Sequence, residues 1–364
     1  MKTKKPDRVF FLLILLLLVC GFAIFSSAAL GQVGRDSASF ATVVFKQLGV
    51  LLIGLVLLVI FSKIPYQSWR PYSPYLFWGA LGLTALVFVP GLGLSFGGAR
   101  RWLDLGWFSM QPAEFLKLAL VIFLAAWAAA RKNKIKDFKT GFLPFLFFLG
   151  AAAAVMLTQP DNGTFMIMIA SALGIFILAG GRWSHLFLLF LLGIMAIGVL
   201  AVTRPYVRER LETFFNPQED KQGASWQINQ SLIAIGSGGL VGRGFGQSLQ
   251  KFVFLPEPIG DSIFAVASEE FGLVGALTLL LLYLALVLWG LKLSVQVKDP
   301  FGRFLIGGFV IMIGAQSFVN MGSMLGLMPM TGVPLVFVSH GGTALLFALV
   351  AVGIILNVSR SRAS

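Results

Sequence analysis

Apolar runs of about twenty residues recur along the whole chain, and no other feature constrains the fold as strongly. A helix of that length crosses the roughly 30 Å hydrocarbon core of a bilayer. The strands of a membrane β-barrel alternate apolar and polar residues and give no such runs. Only 12% of the residues are charged, which is too few to cover a soluble domain. The sequence therefore predicts an all-α polytopic membrane protein.

We predict about ten transmembrane helices, which form a single membrane domain over residues 1–364. The first apolar run is too long for a signal-peptide core, so we expect it to be retained as a span. A long outer segment, about residues 204–261, separates the seventh span from the eighth. The predicted spans are Val9–Leu30, Phe40–Phe61, Tyr75–Leu92, Pro112–Ala130, Phe142–Thr158, Thr164–Gly181, Ser184–Thr203, Ser262–Leu293, Arg303–Met321 and Thr343–Val358.

The formal net charge of +13 follows this predicted topology. Lys and Arg cluster before the first span, in the loop Arg131–Thr140 and after the last span. Cytoplasmic loops are enriched in Lys and Arg, and an even number of spans returns the chain to its starting side. We therefore predict that both termini are cytoplasmic. Membrane lipid is the expected environment, and we expect no nucleic-acid partner.

Few residues are available to bind a metal ion. Cys20 is the only cysteine, and His185 and His340 are the only histidines. Zinc sites in proteins are built mainly from Cys and His, so we predict no metal site of that kind. The sequence indicates no other cofactor, and it leaves open whether a divalent cation assists the activity.

The long outer segment contains a predicted short helix. Apolar residues recur near helical spacing between Trp226 and Ile235, with polar residues between them. This pattern predicts a helix in the membrane interface, with its apolar face toward lipid or toward the bundle. Glycines between Gly236 and Gly246 follow it, and they indicate either a flexible outer loop or close backbone packing.

Asp261, at the end of the outer segment, is the first candidate catalytic residue. Glu257 lies four residues earlier, and two neighbouring carboxylates raise the pKa of one of them, as suits a general base. The alternative is that Asp261 only caps the following helix. Glu269 and Glu270 lie further along the same apolar run, and for Glu270 we favour a buried ion pair.

A second candidate cluster combines cations with one carboxylate. Arg100 and Arg101 are predicted on the outer face, against the usual charge asymmetry of a membrane protein. Together with Lys117 they suit the binding of a diphosphate group. Glu114 and Lys117 are three residues apart on a predicted helix, so the alternative is a structural ion pair between them.

Two segments between spans have distinct patterns. The segment from Met328 to Gly342 is too rich in Pro and Gly for a span, and it predicts a re-entrant segment that lines a cavity. The residues from Gln159 to Thr164 form an ordinary turn signal between two spans.

Several of these motifs occur in order along most of the chain. They are Gly98-Ala99-Arg100-Arg101-Trp102, Gln111–Lys117, Gln159-Pro160-Asp161, Ser231–Gly239, Leu255-Pro256-Glu257, Asp261 and Thr331-Gly332-Val333-Pro334. Together they resemble the shape, elongation, division and sporulation (SEDS) family of peptidoglycan polymerases, whose members include FtsW and RodA. The residues from Pro258 to Val266 are more similar to FtsW, the division member.

The resemblance implies a lipid II-dependent, inverting peptidoglycan glycosyltransferase on the outer face of the bacterial cytoplasmic membrane, acting in cell division. It implies that Asp261 is catalytic, and a class B penicillin-binding transpeptidase and divisome proteins are the implied partners. A lipid II flippase is the alternative, because polar residues inside a bundle also mark transport routes. The candidate substrate-binding residues are Arg100, Arg101, Glu114, Lys117 and Glu257.

Overall fold

The computed structural model describes residues 5–32, 40–96, 99–104, 106, 109–131, 134–216 and 225–362. Gly98 of the predicted outer-face motif lies outside these residues, and so do residues 217–224 of the long outer segment. Within the described residues the helices are α1 Arg8–Ala29, α2 Phe40–Lys63, α3 Trp69–Ala85, α4 Pro112–Ala130, α5 Leu143–Thr158, α6 Asn162–Leu178, α7 Trp183–Thr203, α8 Pro205–Phe215, α9 Trp226–Ser237, α10 Gln250–Val253, α11 Ile263–Gln296, α12 Pro300–Met324 and α13 Gly342–Ser359.

Eight helices in the described part of the chain are long and apolar enough to cross a membrane. They are α1, α2, α4, α5 with its preceding turn, α7, α11, α12 and α13, while α6 is a shorter apolar helix. Each predicted span coincides with a helix, and the predicted class of an all-α polytopic membrane protein is confirmed. The number of ten spans and the cytoplasmic position of the termini stay predictions.

Both predicted ends of the third span were wrong. The span expected over Tyr75–Leu92 is α3, which begins at Trp69 and ends at Ala85. Trp69 stacks on Phe61 of α2 with 5.3 Å between ring centroids, which anchors the first turn of α3. Pro71 is tolerated because the first N–H groups of a helix have no partner within it.

A small antiparallel sheet, which the sequence pattern did not predict, connects α3 to α4. Its strands are β1 Gly93–Phe96, β2 Ala99–Asp104 and β3 Ser109–Met110, in the order β1-β2-β3. Leu94 pairs with Trp102, and Asp104 pairs with Ser109. The sheet carries Arg100 and Arg101 on β2.

Three helices form in the described part of the long outer segment: α8, α9 and the four-residue α10. The predicted short helix is confirmed as α9, whose buried residues Ile228, Ser231 and Ala234 face the bundle. Pro205 begins α8, a position where its missing N–H costs nothing. The sequence pattern did not predict α8, because charged residues interrupt its apolar spacing.

The α12 helix lies at the centre of the bundle and packs on α4, α6, α11 and α13. Gly308 lets two of these helices approach, because a Cβ there would lie 2.8 Å from both Val121 and Ile175. By contrast, α7 buries only His185. A helix that is apolar all round and packs on so little protein suits a lipid environment.

The predicted re-entrant segment between α12 and α13 is non-helical, and its second half is buried. Residues 333–339 are almost entirely enclosed by protein except for Pro334. The backbone N–H of His340 donates to the carbonyl of Ile259 at 2.7 Å. In a bilayer, irregular backbone is tolerated where protein satisfies its polar groups. The segment therefore lies beside the residues that lead to Asp261.

Candidate functional site

Asp261 lies in a turn just before α11 and does not cap that helix. The N-cap residue is Ser262, and no side chain caps it. The carbonyl of Glu257 accepts hydrogen bonds from the N–H groups of Gly260 and Ser262, which closes the turn. Gln227 of α9 donates its Nε2–H to Oδ1 of Asp261 at 2.9 Å. The geometry therefore excludes the alternative that Asp261 serves only as the cap of α11.

The environment of Asp261 favours the protonated form more than water does, so the pKa of the carboxyl is raised. Burial and the charge of Glu257 raise the pKa of Asp261 to about 6, although the hydrogen bond from Gln227 and the charge of Arg210 act in the opposite direction. A carboxylate with a pKa in that range is still mostly ionised at neutral pH, and it accepts a proton more readily than an ordinary aspartate. The predicted proximity of Glu257 and Asp261 is therefore present in the structure.

Two amides of α12 hold the backbone around Asp261. Asn320 donates its Nδ2–H groups to the carbonyl of Asp261 at 2.7 Å and to the carbonyl of Val333 at 2.8 Å. Gln316, four residues earlier on the same helix face, donates to the carbonyl of Pro334 at 3.0 Å. These bonds join the turn before α11 to the re-entrant segment, so the candidate base is carried by a braced backbone.

Lys117 and Glu114 form a buried ion pair. The Lys117 Nζ lies 2.9 Å from Glu114 Oε1 and donates to Gln316 Oε1 at 2.6 Å. Both side chains are almost fully buried, with 3% and 5% of their area exposed. This geometry matches the structural alternative, and it connects the pair to the site through Gln316. Their assignment to substrate binding stays a prediction.

Arg100 and Arg101 point to opposite faces of β2, because successive residues of a strand alternate. Arg101 is partly buried, and its guanidinium donates to the carbonyls of Gln159 and Pro160. Arg100 is exposed and lies on the other face. Of the two arginines, the structure therefore brings only Arg101 toward the other candidate residues.

The turn from Gln159 to Asp161 does more than the sequence pattern indicated. Its carbonyls bind Arg101, and Gln111 donates to Asp161 Oδ2 at 3.1 Å. The other oxygen of Asp161 accepts from the backbone N–H of Thr164 and caps α6. The turn is therefore a link between β2, α4 and α6 at the edge of the site.

Arg210 of α8 is a site cation that the sequence analysis missed. Its guanidinium lies 4.4 Å from the ring centroid of Tyr206 and donates to the carbonyl of Met330. Burial and the charge of Arg101 lower the pKa of Arg210, whereas the charges of Asp261 and Asp161 raise it. These mutual effects indicate that two cations and two carboxylates surround one region. The spacing of Tyr206 and Arg210, four residues apart, was a signal that could have found it.

A cavity of about 190 Å³ lies beside this region. Arg210 and Glu209 of α8, Gln227 of α9 and Met330 of the re-entrant segment contribute to its wall. Because Gln227 also binds Asp261, the cavity adjoins the candidate base. Among the described residues there is no group of three or more Asp, Glu, His or Cys placed to hold a metal ion.

Comparison with known proteins identifies the family. The FtsW/RodA/SpoVE family, described as a cell cycle protein, matches residues 7–364. Stage V sporulation protein E of Bacillus subtilis is 39% identical over 366 residues, which cover 99% of both chains. The protein of Geobacter metallireducens named "Probable peptidoglycan glycosyltransferase FtsW" is 39% identical over 308 residues, which cover 85% of this chain and 82% of that protein.

Solved structures agree with the sequence comparison. A chain of a peptidoglycan synthase complex, from a structure on the coordination of polymerization and crosslinking, matches with a TM-score of 0.81 and 27% identity over 98% of both chains. RodA of Thermus thermophilus matches with a TM-score of 0.71 and 26% identity over 99% of this chain and 98% of that one. This chain therefore belongs to the FtsW/RodA/SpoVE family of multi-pass membrane proteins, which confirms the resemblance to the SEDS family.

The buried ion pair between Lys117 and Glu114 should contribute to the stability of the protein. Replacing Lys117 with Met should leave Glu114 buried without its charge partner, which costs about 3–5 kcal/mol. Thermal unfolding of the purified protein in detergent measures the loss. The double variant Glu114→Gln/Lys117→Met removes both charges and should recover much of it. Wild-type stability of Lys117→Met alone would contradict the structural role of the pair.

Proposed function

We propose that the chain is a peptidoglycan glycosyltransferase that polymerises lipid II on the outer face of the bacterial cytoplasmic membrane. The observation that carries the proposal is Asp261, a partly buried carboxylate with a raised pKa that lies beside a cavity and near the charge of Arg210. The name of the Geobacter relative supports the reaction class. Both termini are then cytoplasmic, and the turn before α11 faces outward.

In the proposed reaction, Asp261 is the general base. A sugar hydroxyl of one lipid II attacks the anomeric carbon of a second glycan chain and forms the new glycosidic bond. The bond between that carbon and the diphosphate oxygen breaks, and the diphosphate leaves with the bonding electrons. Gln227 binds Oδ1 of Asp261, so we assign the proton of the attacking hydroxyl to Oδ2. A single displacement of this kind inverts the anomeric carbon and needs no covalent intermediate.

The departing diphosphate needs positive charge, and Arg210 and Arg101 are the side chains we assign to it. Arginine presents a planar group of N–H donors that matches phosphate oxygens in pairs. Both guanidinium groups now donate to backbone carbonyl oxygens, which are neutral acceptors. A charged phosphate oxygen is a stronger acceptor and could take the place of these carbonyls. Lys117 is then an indirect contributor, because it holds Gln316 and through it the re-entrant segment.

We propose that the chain acts in cell division rather than elongation, beside a class B penicillin-binding transpeptidase and other divisome proteins. Its 39% identity over 308 residues to a protein named FtsW supports the division role. The similar chain in a peptidoglycan synthase complex supports a synthase partner.

Replacing Asp261 with Asn tests the base directly. Asn keeps the size of the side chain but cannot accept a proton at neutral pH. Glycan strand formation from lipid II by the purified protein, with the transpeptidase partner present, should fall by roughly a hundredfold or more. Folding raises the pKa of Asp261, so its ionised form destabilises the native state above about pH 6. The variant should therefore be at least as stable as the wild type at neutral pH.

The matched control is Glu212→Gln, because Glu212 is an exposed carboxylate on α8. This variant should form glycan strands at the wild-type rate. Near-normal strand formation by Asp261→Asn would remove the base from the mechanism and favour the flippase alternative. A flippase assay on the same preparations, which measures movement of a labelled lipid across vesicles, separates the two functions.

The assignment of Arg210 has its own matched control on the same helix. Arg210→Ala should raise the lipid II concentration needed for half-maximal polymerisation and lower the maximal rate, because the cation acts on the leaving group. Arg208→Ala removes an exposed arginine that pairs only with Glu212 at 2.7 Å in the described structure, and it should have little effect. Equal activity of the two variants would exclude Arg210 from the site.

A further inference from the structure

We propose that residues 239–254 form an anchor that inserts apolar side chains into the outer leaflet of the bilayer. We call these residues the break loop, because they fill a break in α11. The proposal concerns binding to a lipid surface and does not depend on the proposed enzymatic activity.

The helix α11 is interrupted at Gly272, whose φ of 65° and ψ of −164° are not helical. A break of this kind leaves backbone groups without their helical partners. Residues of the break loop supply those partners. Leu273 and Val274 donate to the carbonyls of Gly239 and Leu240 at 2.9 and 3.1 Å.

The other side of the break is satisfied in the same way. The N–H groups of Arg243 and Gly244 donate to the carbonyls of Glu269 and Glu270 at 3.0 and 2.9 Å. Gly242 is required for this approach, because a Cβ there would overlap the carbonyl of Glu270 and its φ is 82°. Gly242, and Gly238 before it, therefore serve close backbone packing, which was one of the two predicted roles.

A buried ion pair fixes the far end of the break loop. The Lys251 Nζ lies 2.6 Å from Glu270 Oε1, and both side chains are enclosed by protein. Ser27 of α1 donates to the same carboxylate at 2.6 Å. This confirms the predicted ion pair of Glu270. Because Lys251 is bound to α11 and α1, the loop has a fixed height relative to the membrane-spanning helices.

The outward surface of the break loop is apolar. Leu240, Val241 and Val253 expose 70%, 81% and 70% of their area. Among the described residues of the loop the charged side chains are Lys251, which is buried, and Arg243, which pairs with Glu269 at 3.4 Å. Other exposed apolar side chains of the loop are Phe245, Leu249, Phe252 and Phe254. Arg243 and Gln247 are also exposed, but seven exposed apolar side chains dominate the loop, which indicates an apolar environment.

The height of the break loop matches the outer edge of the hydrocarbon core. Lys292 lies over Trp289 at 4.5 Å from the ring centroid, and Trp and Lys are typical of a membrane interface. From Lys292 back to Leu273 the helix rises about 28 Å at 1.5 Å per residue, close to the thickness of the core. Leu240 and Val241 lie at that second interface, because Val274 hydrogen-bonds to the carbonyl of Leu240.

Lipid is the occupant that the geometry favours over a protein partner. The exposed face of α11 below the break is a continuous apolar surface that begins at Leu273 and Val274. The break loop adjoins the start of this surface, because Leu273 and Val274 donate to the carbonyls of Gly239 and Leu240. Exposed residues of this face of α11 include Leu277, Leu281, Leu284 and Leu288.

Site-directed spin labelling of the purified full-length protein in lipid nanodiscs tests the anchor. In a Cys20→Ser background, labels are attached at Val241→Cys and Val253→Cys. Leu281→Cys serves as the lipid reference and Arg208→Cys as the water reference. The measured quantities are the accessibilities of each label to oxygen and to a water-soluble nickel chelate, with thermal unfolding as the check of folding.

We expect high oxygen accessibility at both loop positions and several-fold lower nickel accessibility than at Arg208→Cys. Nickel accessibility equal to that at Arg208→Cys would overturn the proposal. If these labels become shielded only when a transpeptidase partner is added, the surface is a protein-docking site and the proposal is also wrong. Should a labelled variant fail to fold, Leu240→Cys and Leu249→Cys provide the same measurement on the same surface.

Discussion

The hydrogen bonds of Asn320 hold the site together, since its amide binds the carbonyls of both Asp261 and Val333. Neither carbonyl belongs to a helix, and an unpaired backbone group away from water is costly. One side chain on the central helix α12 thus allows two irregular segments to meet inside the bundle. Gln316 repeats the arrangement one turn away and ties it to the Glu114–Lys117 pair.

The same scaffold places the charges of Asp261, Glu257 and Arg210 close together. Burial and Glu257 make ionised Asp261 costly, and Arg210 offsets part of that cost. The same arginine lies close to Arg101, so two cations are available to an anionic ligand beside the carboxylates of the region. The proposed base and the proposed diphosphate site therefore lie in the same charged region. Their positions depend on α8, α9 and β2, three elements outside the long apolar helices.

The helices and part of the candidate site could be predicted from the sequence. The other site residues could not, for physical reasons. Long apolar runs identified the helices, and the positions of Asp261 and Glu257 before a span indicated their proximity. Arg210 escaped because its role depends on a tertiary contact with Met330, far away in the chain. Arg100 and Arg101 were grouped together, yet the β2 strand separates their side chains, because no pattern announced the sheet.

The pH dependence of polymerisation tests the central claim most directly. If ionised Asp261 is the base, the rate at lipid II concentrations well below saturation should fall about tenfold per pH unit below an apparent pKa near 6. Arg210→Gln removes a charge that lowers the pKa of Asp261, so its midpoint should move to higher pH. A rate independent of pH between about 5 and 8 in the wild type, or an unchanged midpoint in Arg210→Gln, would contradict the account.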